Sequence, residues 1–176
     1  MDAIRTRQEF RAGVITSSHG LKGEVKIRPE RACAQALCDA PQYQLRLSDE
    51  PTAKVEVRRA GMHKQMVLAS LAGYSSVDSV EGFIGAEVWI DPDTLPEVKE
   101  GNYYWHQLEG LKVIDREAGD VGVLEDLLST PGHDIYVVEG PYGEVMIPAV
   151  SEMVQRVDLS ARVMYVSLPQ GLLELN

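Results

Sequence analysis

Residues 12–28 constrain the fold most. They read Ala-Gly-Val-Ile-Thr-Ser-Ser-His-Gly-Leu-Lys-Gly-Glu-Val-Lys-Ile-Arg, two short runs flanking the loop Ser18-His19-Gly20-Leu21-Lys22-Gly23. In the second run Val25 and Ile27 point one way while Glu24, Lys26 and Arg28 point the other. That period of two belongs to a strand buried on one face. Gly20 and Gly23 supply backbone angles that a Cβ forbids. The stretch therefore predicts a β-hairpin with a basic rim.

The same alternation recurs through the first half. Tyr43, Leu45 and Leu47 alternate with Gln44 and Arg46, and Val55 and Val57 with Glu56 and Arg58, which predicts strands over 42–47, 53–60 and 64–71. A turn is expected over 59–63 between the last two. The pattern then changes: hydroxyl N-caps at Ser75 and Ser76 precede apolar residues at 77, 80 and 84, the signature of one short helix. Residues 87–90 form a last strand. Six or so short strands and one helix predict a small closed barrel.

Residues 91–101 carry two prolines, one glycine and four acids, and break both periodicities. They read as a linker, which places two domains at 1–97 and 98–176. Beyond it, strands are expected over 111–115, 122–128, 135–139, 145–148 and 162–168, with turns at 118–120, 131–134 and 140–143. Residues 150–157 read as a short helix or irregular chain. The second half thus looks like another small barrel, and the chain as a whole is mostly β.

Charge divides with the domains. Residues 1–97 carry 12 Lys and Arg against 14 Asp and Glu; residues 98–176 carry 5 against 13, a net of −8 out of the chain's −10. The acidic half repels a bare phosphate backbone and attracts basic partners. No apolar run approaches the ~20 residues that span a bilayer, and residues 1–8 lack the apolar core of a signal peptide. A cytoplasmic protein that avoids membranes is expected. Cys33 and Cys38 have no His or Cys nearby to complete a zinc set, so they read as reduced thiols, with no metal and no cofactor.

Nothing points to catalysis. The loop His19–Gly23 leads into a strand, whereas a phosphate-binding loop leads into a helix. His19, His63, His106 and His133 lack metal spacing. No Gly-x-Ser-x-Gly elbow occurs. Two other features point to binding. Lys26, Arg28 and Arg58 fall on the outward phase of their strands, and Lys22, Arg59 and Lys64 at turns; with His19 they form a candidate patch for RNA phosphates. On charge alone a solvated face is the simpler reading. Four consecutive rings, Tyr103-Tyr104-Trp105-His106, follow the linker. They cannot all face one side of a strand, so some are expected at an interface or packed between domains.

These residues resemble a known family. Residues 13–26 resemble the opening signature of the bacterial ribosome maturation factor family RimM. Arg59 to Lys64 resemble its mid-domain turn, and Glu81-Gly82-Phe83-Ile84-Gly85-Ala86-Glu87-Val88 its helix-to-strand segment. Tyr103-Tyr104-Trp105-His106-Gln107-Leu108-Glu109-Gly110-Leu111 resembles its entry to the C-terminal domain, although the family has Asp where this chain has Gln107. Gly122-Val123-Leu124, Val145-Met146-Ile147-Pro148, Val157-Asp158 and Leu168-Pro169-Gln170-Gly171-Leu172-Leu173 follow in order.

The resemblance implies an N-terminal six-stranded barrel like the second domain of elongation factors, followed by a PRC barrel. It implies a non-catalytic, monomeric assembly factor for the small ribosomal subunit. Such a factor binds immature particles, aids head maturation and rRNA processing, and binds the nineteenth small-subunit ribosomal protein. Tyr103 and Tyr104, with Trp105 and His106 beside them, would serve ribosome association. The competing classes are an enzyme, which needs a pocket of converging His and carboxylate groups, and a PRC-type regulatory adaptor unrelated to ribosomes.

Overall fold

The computed structural model describes residues 8–174. Residues 1–7, part of the segment behind the cytoplasmic expectation, lie outside the described residues, as do 175 and 176. The chain divides into two compact units, Met1–Tyr104 and Trp105–Asn176.

The first unit is a closed barrel of β1 (Phe10–His19), β2 (Glu24–Pro29), β3 (Gln42–Arg46), β4 (Ala53–His63), β5 (Met66–Leu71) and β6 (Glu87–Ile90). Around the barrel they run β1-β2-β5-β4-β3-β6, and each of these neighbours pairs antiparallel. The inward phase of the alternation fills the interior: Ile15, Val25, Ile27, Tyr43, Leu45, Val88 and Ile90 are all buried. Each large apolar side chain removed from water in this way contributes about 1.5–3 kcal/mol. Tyr43 is buried because its hydroxyl donates to the Leu37 carbonyl oxygen at 2.5 Å, which satisfies the one polar atom it carries.

Three local features depart from the sequence reading. Helix α1 (Ala34–Asp39) was not anticipated; six residues are too few for a helical period to show. The turn expected over 59–63 lies instead at Lys64 and Gln65, and β4 runs through Gly61 to His63. Lys64 adopts φ +57°, a conformation usually given to glycine, so the turn carries no glycine to mark it. The pairing of β4 with β5 also slips between Val57 and Arg59. Arg58 is the extra residue of a bulge, and both arginines are exposed. The expected short helix is present as α2 (Val77–Val80), and Ser76 and Ser79 cap it reciprocally.

The second unit is a six-stranded sheet of β7 (Lys112–Asp115), β8 (Gly119–Ser129), β9 (Asp134–Gly140), β10 (Gly143–Pro148), β11 (Val154–Asp158) and β12 (Val163–Val166). Its order is β10-β9-β8-β7-β12-β11, with β7 and β12 parallel. The buried side includes Leu111, Val113, Leu124, Val138, Ile147 and Met164. Strand β11 replaces the helix or irregular chain expected over 150–157. Its pairing slips between Val154 and Arg156, so Gln155 and Arg156 are both exposed and the alternation that would have marked a strand is lost. No helix among the described residues is long and apolar enough to cross a membrane.

Candidate functional site

The barrel's outer face gathers the cations. His19 opposes Glu24 across β1 and β2. The Ser70 hydroxyl approaches Glu24 at 3.5 Å, and Ser70 opposes Arg59 across β5 and β4. One step along, Lys26 opposes Leu68, which opposes Gly61. Cross-strand partners share a face, so His19, Lys26, Arg28 and Arg59 lie on one side. His63 shares it, and its ring lies 5.6 Å from that of His19, tilted by 48°. Arg59 therefore reaches this face from within a strand, and not from the turn where the sequence placed it. Lys22 is exposed in the β1–β2 loop and Lys64 in the β4–β5 turn.

Closure of that loop depends on Gly23. It has φ +71°, and a Cβ there would lie 2.5 Å from the Ser76 carbonyl oxygen. Two other cations of the barrel, Arg11 and Arg46, have acidic partners. Arg11 contacts Glu30 at 3.3 Å and Glu87 at 3.0 Å, while Arg46 pairs with Glu9 and stacks on Trp89. Among the described residues none of Lys22, Lys26, Arg28, Arg58, Arg59 and Lys64 takes part in a salt bridge. Arg11 and Arg46 are thus held by internal acids, whereas these six are not.

The four rings divide between the units. Tyr104 is buried in the first unit, where its hydroxyl lies 3.0 Å from Asp39 Oδ2 and 3.1 Å from the Pro96 carbonyl oxygen. Burial first, and then the hydrogen bond to Asp39 and its charge, push this phenol up to about 12. The Gln35 amide also donates to Asp39, at 2.9 Å to each carboxylate oxygen. These bonds keep the tail of the linker with the barrel, and the division into compact units falls after Tyr104. Between residues 98 and 104 lie one lysine and one glutamate, so the second unit stays at −8. Trp105 opens α3 (Trp105–Leu108) and is also buried. Tyr103 and His106 are half-buried, and burial lowers the His106 pKa. Tyr104 and Trp105 are therefore packed rings, and Tyr103 and His106 are the two with surface to offer.

In the second unit an open cleft of about 230 Å³ is lined by Asp115, Glu117, Tyr142 and Leu168 among others. Asp115 is committed to the backbone. Its Oδ2 accepts from Glu117 N at 2.8 Å and Ala118 N at 2.9 Å, and its Oδ1 from Leu168 N at 2.7 Å. Burial alone would raise its pKa, but the backbone N–H groups of Ala118, Leu168, Glu117 and Arg116 outweigh it and hold the carboxyl below its usual value. This carboxylate organises a turn. Nearby, Arg162 donates to the carbonyl oxygens of Gln107 at 3.1 Å and Glu109 at 2.6 Å, tying α3 to the sheet.

One feature of the second unit escaped the sequence reading although its signal was there. Residues 117–155 contain no lysine or arginine and eight acids. The unit's whole charge excess lies in that stretch, which forms β8, β9 and β10.

A closed β-barrel with solvent-facing cations, joined to an acidic β-sheet unit, defines a two-domain β protein whose distinguishing features lie on its surfaces. Comparison with known proteins gives the family. The RimM N-terminal domain matches residues 10–95 and the RimM PRC barrel domain residues 105–172, on either side of the observed division. The ribosome maturation factor RimM of Syntrophotalea carbinolica is 39% identical over 92% of this chain and 93% of its own. That of Geotalea uraniireducens is 32% identical over 93% and 94%. A solved RimM structure from Pseudomonas aeruginosa is 33% identical, covering 92% of this chain and 98% of its own, with a TM-score of 0.48. The chain belongs to the RimM family of ribosome maturation factors.

Proposed function

We propose that this protein is a non-catalytic factor for assembly of the small ribosomal subunit, acting in the cytoplasm. It binds immature particles through two surfaces of different chemistry and assists maturation of the subunit head and processing of its rRNA. The barrel's cations, Lys22, Lys26, Arg28, Arg58, Arg59 and Lys64, contact rRNA phosphates, with His19 beside them. The second unit binds the nineteenth small-subunit ribosomal protein, and Tyr103 and His106 add binding area. Family membership over both units carries the reading, and the barrel supports it: among the described residues Lys22, Lys26, Arg28, Arg58, Arg59 and Lys64 stand outside any salt bridge, whereas Arg11 and Arg46 are paired internally. Phosphate binding by such cations gives salt-dependent affinity without a reaction. A −8 unit attracts a basic protein and speeds its approach. Tighter binding to one assembly intermediate shifts the particle population toward it.

The test is sedimentation with gradient-purified particles. The protein should travel with immature small subunits and poorly with mature ones. Lys26→Glu with Arg59→Glu should weaken that association and flatten its salt dependence, the slope falling by roughly one for each phosphate no longer neutralised. Equal association with mature and immature particles would overturn the reading.

A further inference from the structure

The outer face of β8, β9 and β10 has a composition that sheet stability does not account for. Three cross-strand rows cross it. Glu144 opposes Glu139, which opposes Val123; Met146 opposes Val137, which opposes Asp126; Pro148 opposes Ile135, which opposes Leu128. Partners in a row share a face, and the alternate rows carry Val145, Val138 and Leu124 into the core. The outer side therefore presents exposed apolar side chains, Met146 at 48%, Leu128 at 42% and Val123 at 41%, around Val137, which is itself buried. Glu139, Glu144 and Asp126 stand within it or at its edge, and Glu125 is exposed beside Asp126. Glu139 directly opposite Glu144 is a like-charge pair, which destabilises a sheet. A face selected for stability alone would place a cation on one side of that pair.

We infer that this face is a docking surface for a basic protein segment, one that inserts an apolar side chain over Met146 and Leu128 and sets lysines or arginines against Glu139, Glu144 and Asp126. Charge selects the occupant. With no lysine or arginine between residues 117 and 155, the face repels a nucleic-acid backbone. A second copy meeting it with the same face would oppose the same acids to each other. A basic protein segment satisfies both halves of the surface: the apolar rows lose water, and the acids gain partners in a partly desolvated setting where charge pairs are worth more. The inference deepens the reading of the second unit as the protein-binding one, and rests on it.

The test uses the full chain and the purified nineteenth small-subunit ribosomal protein as probe, in calorimetric titration with amide NMR mapping. Three variants are compared with wild type: Met146→Asp with Leu128→Asp, which removes the apolar anchor and keeps the acid; Glu139→Lys with Glu144→Lys, which reverses the charge; and Ile84→Asp, an exposed apolar control in the barrel. Each variant's amide spectrum first confirms that it is folded. Both face variants should lose affinity tenfold or more, and the control should not. The charge reversal should also remove most of the salt dependence, while the anchor variant keeps it. Amide shifts in wild type should centre on Val123, Leu128, Val137 and Met146. Wild-type binding that is equal in both face variants would overturn the surface and leave the proposed function standing. No binding by wild type would overturn the protein-binding reading and the surface with it.

Discussion

Tyr104 offers the sharpest test, because a ring at a junction can serve a partner or the fold. The structure assigns it to the fold: the ring is buried and its hydroxyl is bonded to Asp39 and Pro96. Tyr104→Phe keeps the ring and deletes the hydroxyl. Asp39 retains Gln35 as a donor, so the loss should be that of one hydrogen bond, about 1–2 kcal/mol. Tyr104→Ala also removes the buried ring and should cost about 3–5 kcal/mol, a large part of the 5–15 kcal/mol typical of a domain. At ~1 kcal/mol per molar urea, the Phe variant should unfold about 1–2 M earlier. The chain has two tryptophans, one per unit, so in a Trp105→Phe background Trp89 fluorescence follows the barrel alone.

The pH dependence gives a second readout of the same bond. The folded phenol titrates at about 12 against ~10 when unfolded. Its neutral form is the one stabilised, so the contribution is complete below pH 10 and disappears as pH rises from 10 through 12. The gap between wild type and Tyr104→Phe should close over that window. An unchanged urea midpoint in Tyr104→Phe, together with weakened particle binding, would refute the argument and return the ring to an interface.

Two further outcomes follow from the backbone. Gly23→Ala sets a Cβ 2.5 Å from the Ser76 carbonyl oxygen at φ +71°, and should destabilise the barrel by about 1–3 kcal/mol, visible as a lower thermal midpoint reported by Trp89. Asp115→Asn loses a carboxylate that accepts three backbone N–H groups. Because the native carboxyl titrates below its ordinary value of 3.8, its contribution is present above pH 4 and lost as pH falls through the native pKa. Wild type should thus be more stable than the Asn variant at neutral pH, with the difference shrinking on acidification in urea titrations.

Much of the architecture is legible in one dimension, because burial on one face of a strand imposes a period of two that needs no knowledge of the partner strand. Residues 24–28 and 42–47 show it, and the Ser76 cap of α2 is likewise a local signal. Where that reading failed, the period itself is broken in the molecule. Bulges at Arg58 and beside Arg156 put two consecutive residues outside, α1 is shorter than two helical turns, and a lysine occupies the positive-φ position of the β4–β5 turn.

The surfaces are a different matter. By itself the sequence determined two β domains, an acidic second half and the strand phase of Lys26, Arg28 and Val25. Only the tertiary structure decided which of those residues meet. Register set Arg59 in line with Glu24 and His19, and placed Met146 beside Val137 and Asp126. A hydrogen bond spanning 65 residues made Tyr104 part of the barrel. The physical reason is that alternation fixes which side a residue faces, whereas neighbours on that side come from pairing between strands distant in the chain, and a shift of a single residue in register would exchange the buried face for the exposed one.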